Sequence, residues 1–61
     1  MLSILIIDDE QPARDRLRRL VEDMADVRVA GQAASGADAL EQVRRLRPDV
    51  LLLDISMPGM D

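Results

Sequence analysis

Leu2-Ser3-Ile4-Leu5-Ile6-Ile7-Asp8-Asp9-Glu10 is the stretch whose reading decides the fold. Leu2–Ile7 is nearly all apolar, rich in isoleucine, and stops at three consecutive acids. A short continuous apolar run bounded in this way fits a strand buried on both faces. Working outward, Pro12 suits the first position of a helix, where its missing N–H costs nothing. Ala13, Leu17, Leu20, Val21 and Met24 follow at helical spacing and predict one apolar stripe on a helix over residues 12–23.

The same alternation then repeats. Val27–Ala33 reads as a second strand, weakened slightly by Gly31. Ser35 is a predicted N-cap, and Asp38 three residues later comes close to a capping box. Leu40, Val43 and Leu46 stripe a second helix, which should end by Arg47 because Pro48 disfavours a helical residue before it. Val50–Leu53 is a second continuous apolar run and predicts the third strand. Residues 55–61 contain Pro58 and Gly59 and read as a loop. Strand, helix, strand, helix, strand, with short connections and right-handed crossovers, implies an α/β fold with a parallel sheet ordered 2-1-3.

Composition narrows the chemistry. The 61 residues include neither cysteine nor histidine, so a disulfide, a zinc–thiolate site and a histidine base are all excluded. A metal would have to be held by oxygen, which favours magnesium, manganese or calcium. The net charge is −4 and no residue is aromatic, a poor match for direct nucleic-acid binding. Arginine supplies every basic side chain, in two bunches over residues 14–19 and 44–47 with Arg28 between them. Both bunches fall in helical stretches and read as solvated helix faces. No apolar run approaches the ~20 residues of a membrane span, and the first run is too short for a signal peptide. The expected location is the cytoplasm, and no membrane partner is expected.

In an open parallel sheet, function gathers at the carboxyl ends of the strands, near the switch in strand order. Asp8 and Asp9 follow the first strand and Asp54 follows the third, and these strands are predicted neighbours. Crowded carboxylates need a shared proton or a cation, and magnesium is the natural one. A carboxylate beside such a metal can attack phosphorus and form an acyl phosphate. The plainer readings are that Asp8, Asp9 and Glu10 favour the positive end of the first helix and that Asp54 forms a turn. Ser35 and Asp38 read as a helix cap, and Met24, Met57 and Met60 as packing or loop residues.

Three stretches carry a family resemblance: Ile6-Ile7-Asp8-Asp9-Glu10, Ala34-Ser35-Gly36-Ala37-Asp38-Ala39-Leu40, and residues 48–61 with Leu53-Asp54-Ile55-Ser56-Met57-Pro58-Gly59-Met60-Asp61. In order and spacing they resemble the receiver domain of two-component response regulators, over essentially the whole chain. The resemblance implies the N-terminal half of a flavodoxin-like doubly wound sheet (residues 1–61 forming a truncated receiver), without an output domain. It implies Asp54 as the phospho-acceptor, Asp9 as a direct magnesium or manganese ligand, and Asp8 as a ligand through water. It also implies the Ser56 backbone carbonyl and the Asp54 carboxylate as metal ligands, with Pro58 and Gly59 shaping the loop. The implied partner is a sensor histidine kinase, with DNA engaged only through a missing output domain. Pro12-Ala13-Arg14 and Leu17-Arg18-Arg19-Leu20 look most like receivers joined to LytTR-type DNA-binding domains.

The departures raise alternatives. Receivers are about twice this length, and the hydroxyl and lysine residues that end their fourth and fifth strands have no counterpart here. The resemblance thus implies no enzyme beyond a module promoting its own phosphorylation and dephosphorylation, and a fragment unable to switch. One alternative is a self-associating fragment, pairing through the exposed edge of the third strand. Another is an aspartyl-nucleophile phosphatase of the haloacid dehalogenase type. That class usually carries a second aspartate two residues after the nucleophile, where Ser56 stands.

Overall fold

The apolar runs become strands and the striped segments become helices, in the predicted order. A computed structural model describes residues 1–53. It contains β1 (Leu2–Ile7), α1 (Gln11–Glu22), β2 (Val27–Ala33), α2 (Gly36–Leu46) and β3 (Val50–Leu53). All strand pairs are parallel and the order is β2-β1-β3. This is the strand order expected of a flavodoxin-like doubly wound sheet.

β1 holds the centre. Leu5 and Ile6 are 0% exposed, Ile7 2% and Ile4 8%. Alternate side chains leave a strand on opposite faces. Leu5 and Ile7 therefore pack with Ala33 and with Ala39, Val43 and Leu46 of α2. Ile4 and Ile6 pack with Leu17 and Val21 of α1, and with Val27, Val29 and Leu52. Each fully buried side chain of this kind contributes about 1.5–3 kcal/mol, so β1 is where most of the core energy converges.

β2 does not alternate simply. Its register runs Ile4↔Val29 and then Leu5↔Gly31, so Ala30 is an extra residue at a bulge. Val27 and Val29 lie on the α1 face, whereas Ala33 lies on the α2 face. The inserted residue transfers the odd-numbered positions from one layer to the other. Gly31 follows the bulge beneath α2. A Cβ there would sit 2.7 Å from Gln42 Oε1 and 2.9 Å from Leu46 Cδ1. The space that glycine leaves lets the Gln42 Nε2 group donate to the Gln32 carbonyl at 2.5 Å.

The helix boundaries differ slightly from expectation. Pro12 is the second residue of α1, still within the first turn whose N–H groups have no helical partner. Leu20 and Met24 are 60% and 57% exposed. Leu20 follows Arg19 and precedes the buried Val21, a step of about 100° around the helix axis that carries it off the sheet. Met24 lies in the turn past the helix end. In α2, Ala39 is buried but Leu40 is 56% exposed. The Ser35 hydroxyl accepts from Asp38 N–H at 3.1 Å, as a cap should. The Asp38 carboxylate accepts instead from Ala34 N–H at 3.3 Å, one residue short of the reciprocal capping-box bond.

Arg47 ends α2 in the left-handed region, at φ 48° and ψ 59°. Its N–H still reaches the Val43 carbonyl at 2.9 Å. Pro48 disfavours a right-handed helical conformation at Arg47, and the chain must reverse here to enter β3. Asp49 then fastens β3 to β1. Its Oδ2 accepts from Ser3 N–H at 2.8 Å and from the Ser3 hydroxyl at 3.1 Å. Its own N–H donates to the Ser3 carbonyl at 2.9 Å and to Ser3 Oγ at 3.1 Å. The Ser3 N–H bond, then the hydroxyl bond, hold the Asp49 carboxyl below its ordinary value of 3.8, with smaller help from the N-terminal ammonium and Arg28 against partial desolvation.

Because the folded state holds Asp49 below its unfolded value, its contribution is complete above pH 3.8 and is lost as pH falls through the folded value. Asp49→Asn should therefore melt below wild type at pH 7, and the gap should narrow as the pH is taken below that point; a gap constant with pH would refute the coupling. Arg47→Gly should raise stability by roughly 0.5–1 kcal/mol, since a left-handed L-residue costs about 1–2 kcal/mol and glycine returns part of that as chain entropy. The urea midpoint reports it.

Candidate functional site

The carboxyl end of β1 is where the chain places its acids. Asp8 N–H donates to the Ala33 carbonyl at 3.0 Å, extending the β1–β2 ladder one residue past Ile7. Asp8 is therefore still inside the sheet, and only 2% exposed. Its Oδ1 accepts from Glu10 N–H at 2.9 Å, closing an Asx-turn that bends the chain out of the strand. Asp9 emerges from that bend and is exposed. Glu10 occupies the N-cap of α1 without any side-chain cap bond. Its carbonyl accepts from Arg14 N–H at 3.1 Å, and the helix begins.

The neighbouring strands end level with β1. Ile7 pairs with Ala33 on one side and with Leu53 on the other. The ends of β1 and β3 are thus side by side, as expected. Asp54 is the next residue after Leu53 and lies outside the described residues, together with Ser56, Pro58 and Gly59. Among the predicted site residues, Asp8 and Asp9 are brought to the end of β1. Ser35 and Asp38 form the helix cap that the sequence suggested.

A divalent cation fits what is described. The donors at this end are carboxylates, one buried and one exposed, and no thiol or imidazole competes anywhere in the chain. Magnesium takes one or two carboxylates and keeps several waters. Among the described residues no cluster of three or more metal-capable side chains forms, so the pair Asp8 and Asp9 would need a further ligand.

One residue at this end was missed by sequence reasoning. By sequence Arg14 belongs to a bunch of arginines that reads as a solvated helix face. Instead its Nη1 donates to the Asp8 carbonyl at 2.5 Å and its Nη2 to Gln11 Oε1 at 2.6 Å. Helical side chains lean toward the N-terminus. A long donor one turn into α1 is therefore aimed back at the strand end, and that lean was the available signal.

On the α2 side of the sheet, Ile7, Ala39, Leu40, Val43, Leu51 and Leu53 line an apolar groove of about 260 Å³. It explains the exposure of Leu40, which borders the groove where the predicted stripe required core. None of its lining is charged, and it is separate in character from the acidic strand end.

The family model of the response regulator receiver domain matches residues 4–61. The chain is 47% identical over 58 residues to the transcriptional regulatory protein BtsR of Salmonella typhi, covering 95% of this chain and 24% of that protein. It is 41% identical over 58 residues to BtsR of Escherichia coli strain K12, with the same coverage of 95% and 24%. It is 40% identical over 60 residues to the response regulator GacA of Pseudomonas syringae pv. syringae strain B728a, covering 98% of this chain and 28% of that protein. The chain thus spans about a quarter of the length of these curated relatives.

Proposed function

The chain belongs to the family of response regulator receiver domains, and from that premise we propose that Asp54 accepts a phosphoryl group from a phosphohistidine on a sensor histidine kinase. The observation that carries this reading is the Ile7–Leu53 pairing. In sequence Asp8 directly follows Ile7 and Asp54 directly follows Leu53. The match to the receiver-domain family supports the reading.

In the proposed step a carboxylate oxygen of Asp54 attacks phosphorus. The P–O bond of an acyl phosphate forms as the P–N bond of phosphohistidine breaks. The bonding pair returns to the ring nitrogen, and histidine leaves neutral with its proton on the other nitrogen. Asp9 and Asp54 are assigned as direct ligands of magnesium or manganese, with the Ser56 backbone carbonyl as a third and Asp8 acting through water. When bound, the cation neutralises charge between an anionic nucleophile and an anionic donor. Asp8, held by the Glu10 amide and buried, is suited to fix the direction of its carboxylate. Pro58 and Gly59 are assigned to shaping the loop that follows.

The domain is a signalling module, with no turnover of a separate substrate; any chemistry it promotes is its own phosphorylation and dephosphorylation. BtsR is a transcriptional regulatory protein and GacA a response regulator. A transcriptional output, reached through a DNA-binding domain elsewhere in the parent protein, is therefore the proposed consequence. No helix of the described residues is long and apolar enough to cross a membrane, and the proposed setting is the cytoplasm.

The full-length protein, incubated with a small-molecule phosphodonor and magnesium, should give a retarded band on a Phos-tag gel. Asp54→Ala should abolish that band, and chelation should reduce it. Label that persists after Asp54→Ala would overturn the assignment.

The edge of β3 supports a second reading for the 61-residue chain alone. Val50, Leu51 and Leu53 are 40%, 51% and 41% exposed. Among the described residues β3 pairs only with β1, leaving a row of backbone groups able to pair with another chain. We propose that the isolated chain self-associates through this edge. Sedimentation equilibrium should show a mass that rises with concentration; a monomer at every concentration would exclude it.

A further inference from the structure

Three anchors hold the turn that carries the acids, and each fixes a different part of it. Asp8 N–H is tied to the Ala33 carbonyl at 3.0 Å. Glu10 N–H is tied to Asp8 Oδ1 at 2.9 Å. Between them lies the peptide group joining Asp8 to Asp9, whose oxygen receives the Arg14 guanidinium. That peptide is planar. Holding its oxygen fixes the rotation of the whole plane, and with it the direction in which Asp9 leaves the strand. Asp8 is already immobilised by burial. Asp9 is exposed and has no such packing. Its placement depends on the backbone that Arg14 holds.

Arg14 is itself held. Its second nitrogen donates to Gln11 Oε1 at 2.6 Å, and Gln11 Nε2 donates to Asp15 Oδ1 at 2.9 Å. The relay uses spacings of three and four residues, which place side chains together on one helix face. Both of these contacts are made to uncharged oxygens, one a backbone carbonyl and one a side-chain amide.

We infer that Arg14 is the positioning residue for Asp9, setting the carboxylate geometry toward a divalent cation through the Asp8 carbonyl. The inference rests on the receiver reading of this strand end. The opposing effect is plain: a guanidinium near a cation repels it. If that repulsion outweighs the bracing, removal of Arg14 would strengthen metal binding. If bracing dominates, removal weakens it.

Three variants of the full-length protein separate these effects. Arg14→Met keeps the apolar stem and removes both charge and donors. Arg14→Lys keeps the charge and loses the planar fork. Gln11→Leu keeps Arg14 but removes the oxygen that steadies it. Manganese binding, followed by electron paramagnetic resonance, should weaken roughly 10-fold in Arg14→Met, the low end for loss of a group that orients a metal ligand. Arg14→Lys should recover part of that loss, and Gln11→Leu should show a smaller one. Metal-free amide exchange at Asp9 and Glu10 should quicken in the same order, while the melting temperature moves by no more than about 4 °C. Unchanged or tighter manganese binding in Arg14→Met would overturn the inference, as would unaltered amide exchange. Should Arg14→Met fail to fold, Arg14→Lys and Gln11→Leu decide the matter by the same two readouts. If the wild-type protein binds no manganese, the receiver reading of the site is what fails, and the metal-free exchange still decides whether Arg14 braces the turn.

Discussion

Burial of β1 on both faces is the constraint from which the rest of the structure follows. A strand with helices above and below cannot show a polar side chain to either layer, so Ile4, Leu5, Ile6 and Ile7 are all apolar. It must also have a strand on each side to satisfy its backbone, and β2 and β3 provide this. The polar groups that a binding site needs are thereby pushed to the strand's ends. Ser3 serves one end, and Asp8 and Asp9 serve the other. The acids lie after Ile7, where the chain ends its strand and turns out to solvent between Asp8 and Asp9.

The two acids then differ by one residue of emergence. Asp8 is still hydrogen-bonded into the β1–β2 ladder and shielded, whereas Asp9 has turned out toward solvent. A buried carboxylate survives only with hydrogen-bond partners, and the Glu10 amide is one of them. Adjacent residues with such different surroundings suit unequal roles, one steady and one accessible. The family match covers this strand end and continues through residue 61.

Much of this was legible in the sequence, and the reasons are local. Continuous apolar runs ending in acids or bounded by proline identified β1 and β3, and the Ser35 cap marked the start of α2 within one residue. Other features depend on three-dimensional neighbours. The bulge at Ala30 has only the neighbouring Gly31 as its sign in Val27–Ala33, yet it decides which layer Val29 and Ala33 enter. Leu20, Met24 and Leu40 have the residue type of a core without a covering surface. Arg14 belongs to a charge cluster whose other members are exposed, and only the lean of its side chain toward β1 distinguishes it. Asp54 is singled out by its place after the third strand and by the family resemblance, and Ser56, Pro58 and Gly59 by the resemblance alone.

The Ser3–Asp49 pairing gives β3 an unequal pair of ends. Four hydrogen bonds concentrate where β3 begins, while its later residues are joined to β1 by the strand ladder and by the packing of Leu52 with Ile4 and Ile6. The strand resembles a zipper stitched shut at its base. Loosening of β3 from β1 therefore has the most bonds to break at this base, an anchorage set by one serine and one aspartate at the opposite end of β1 from the acids.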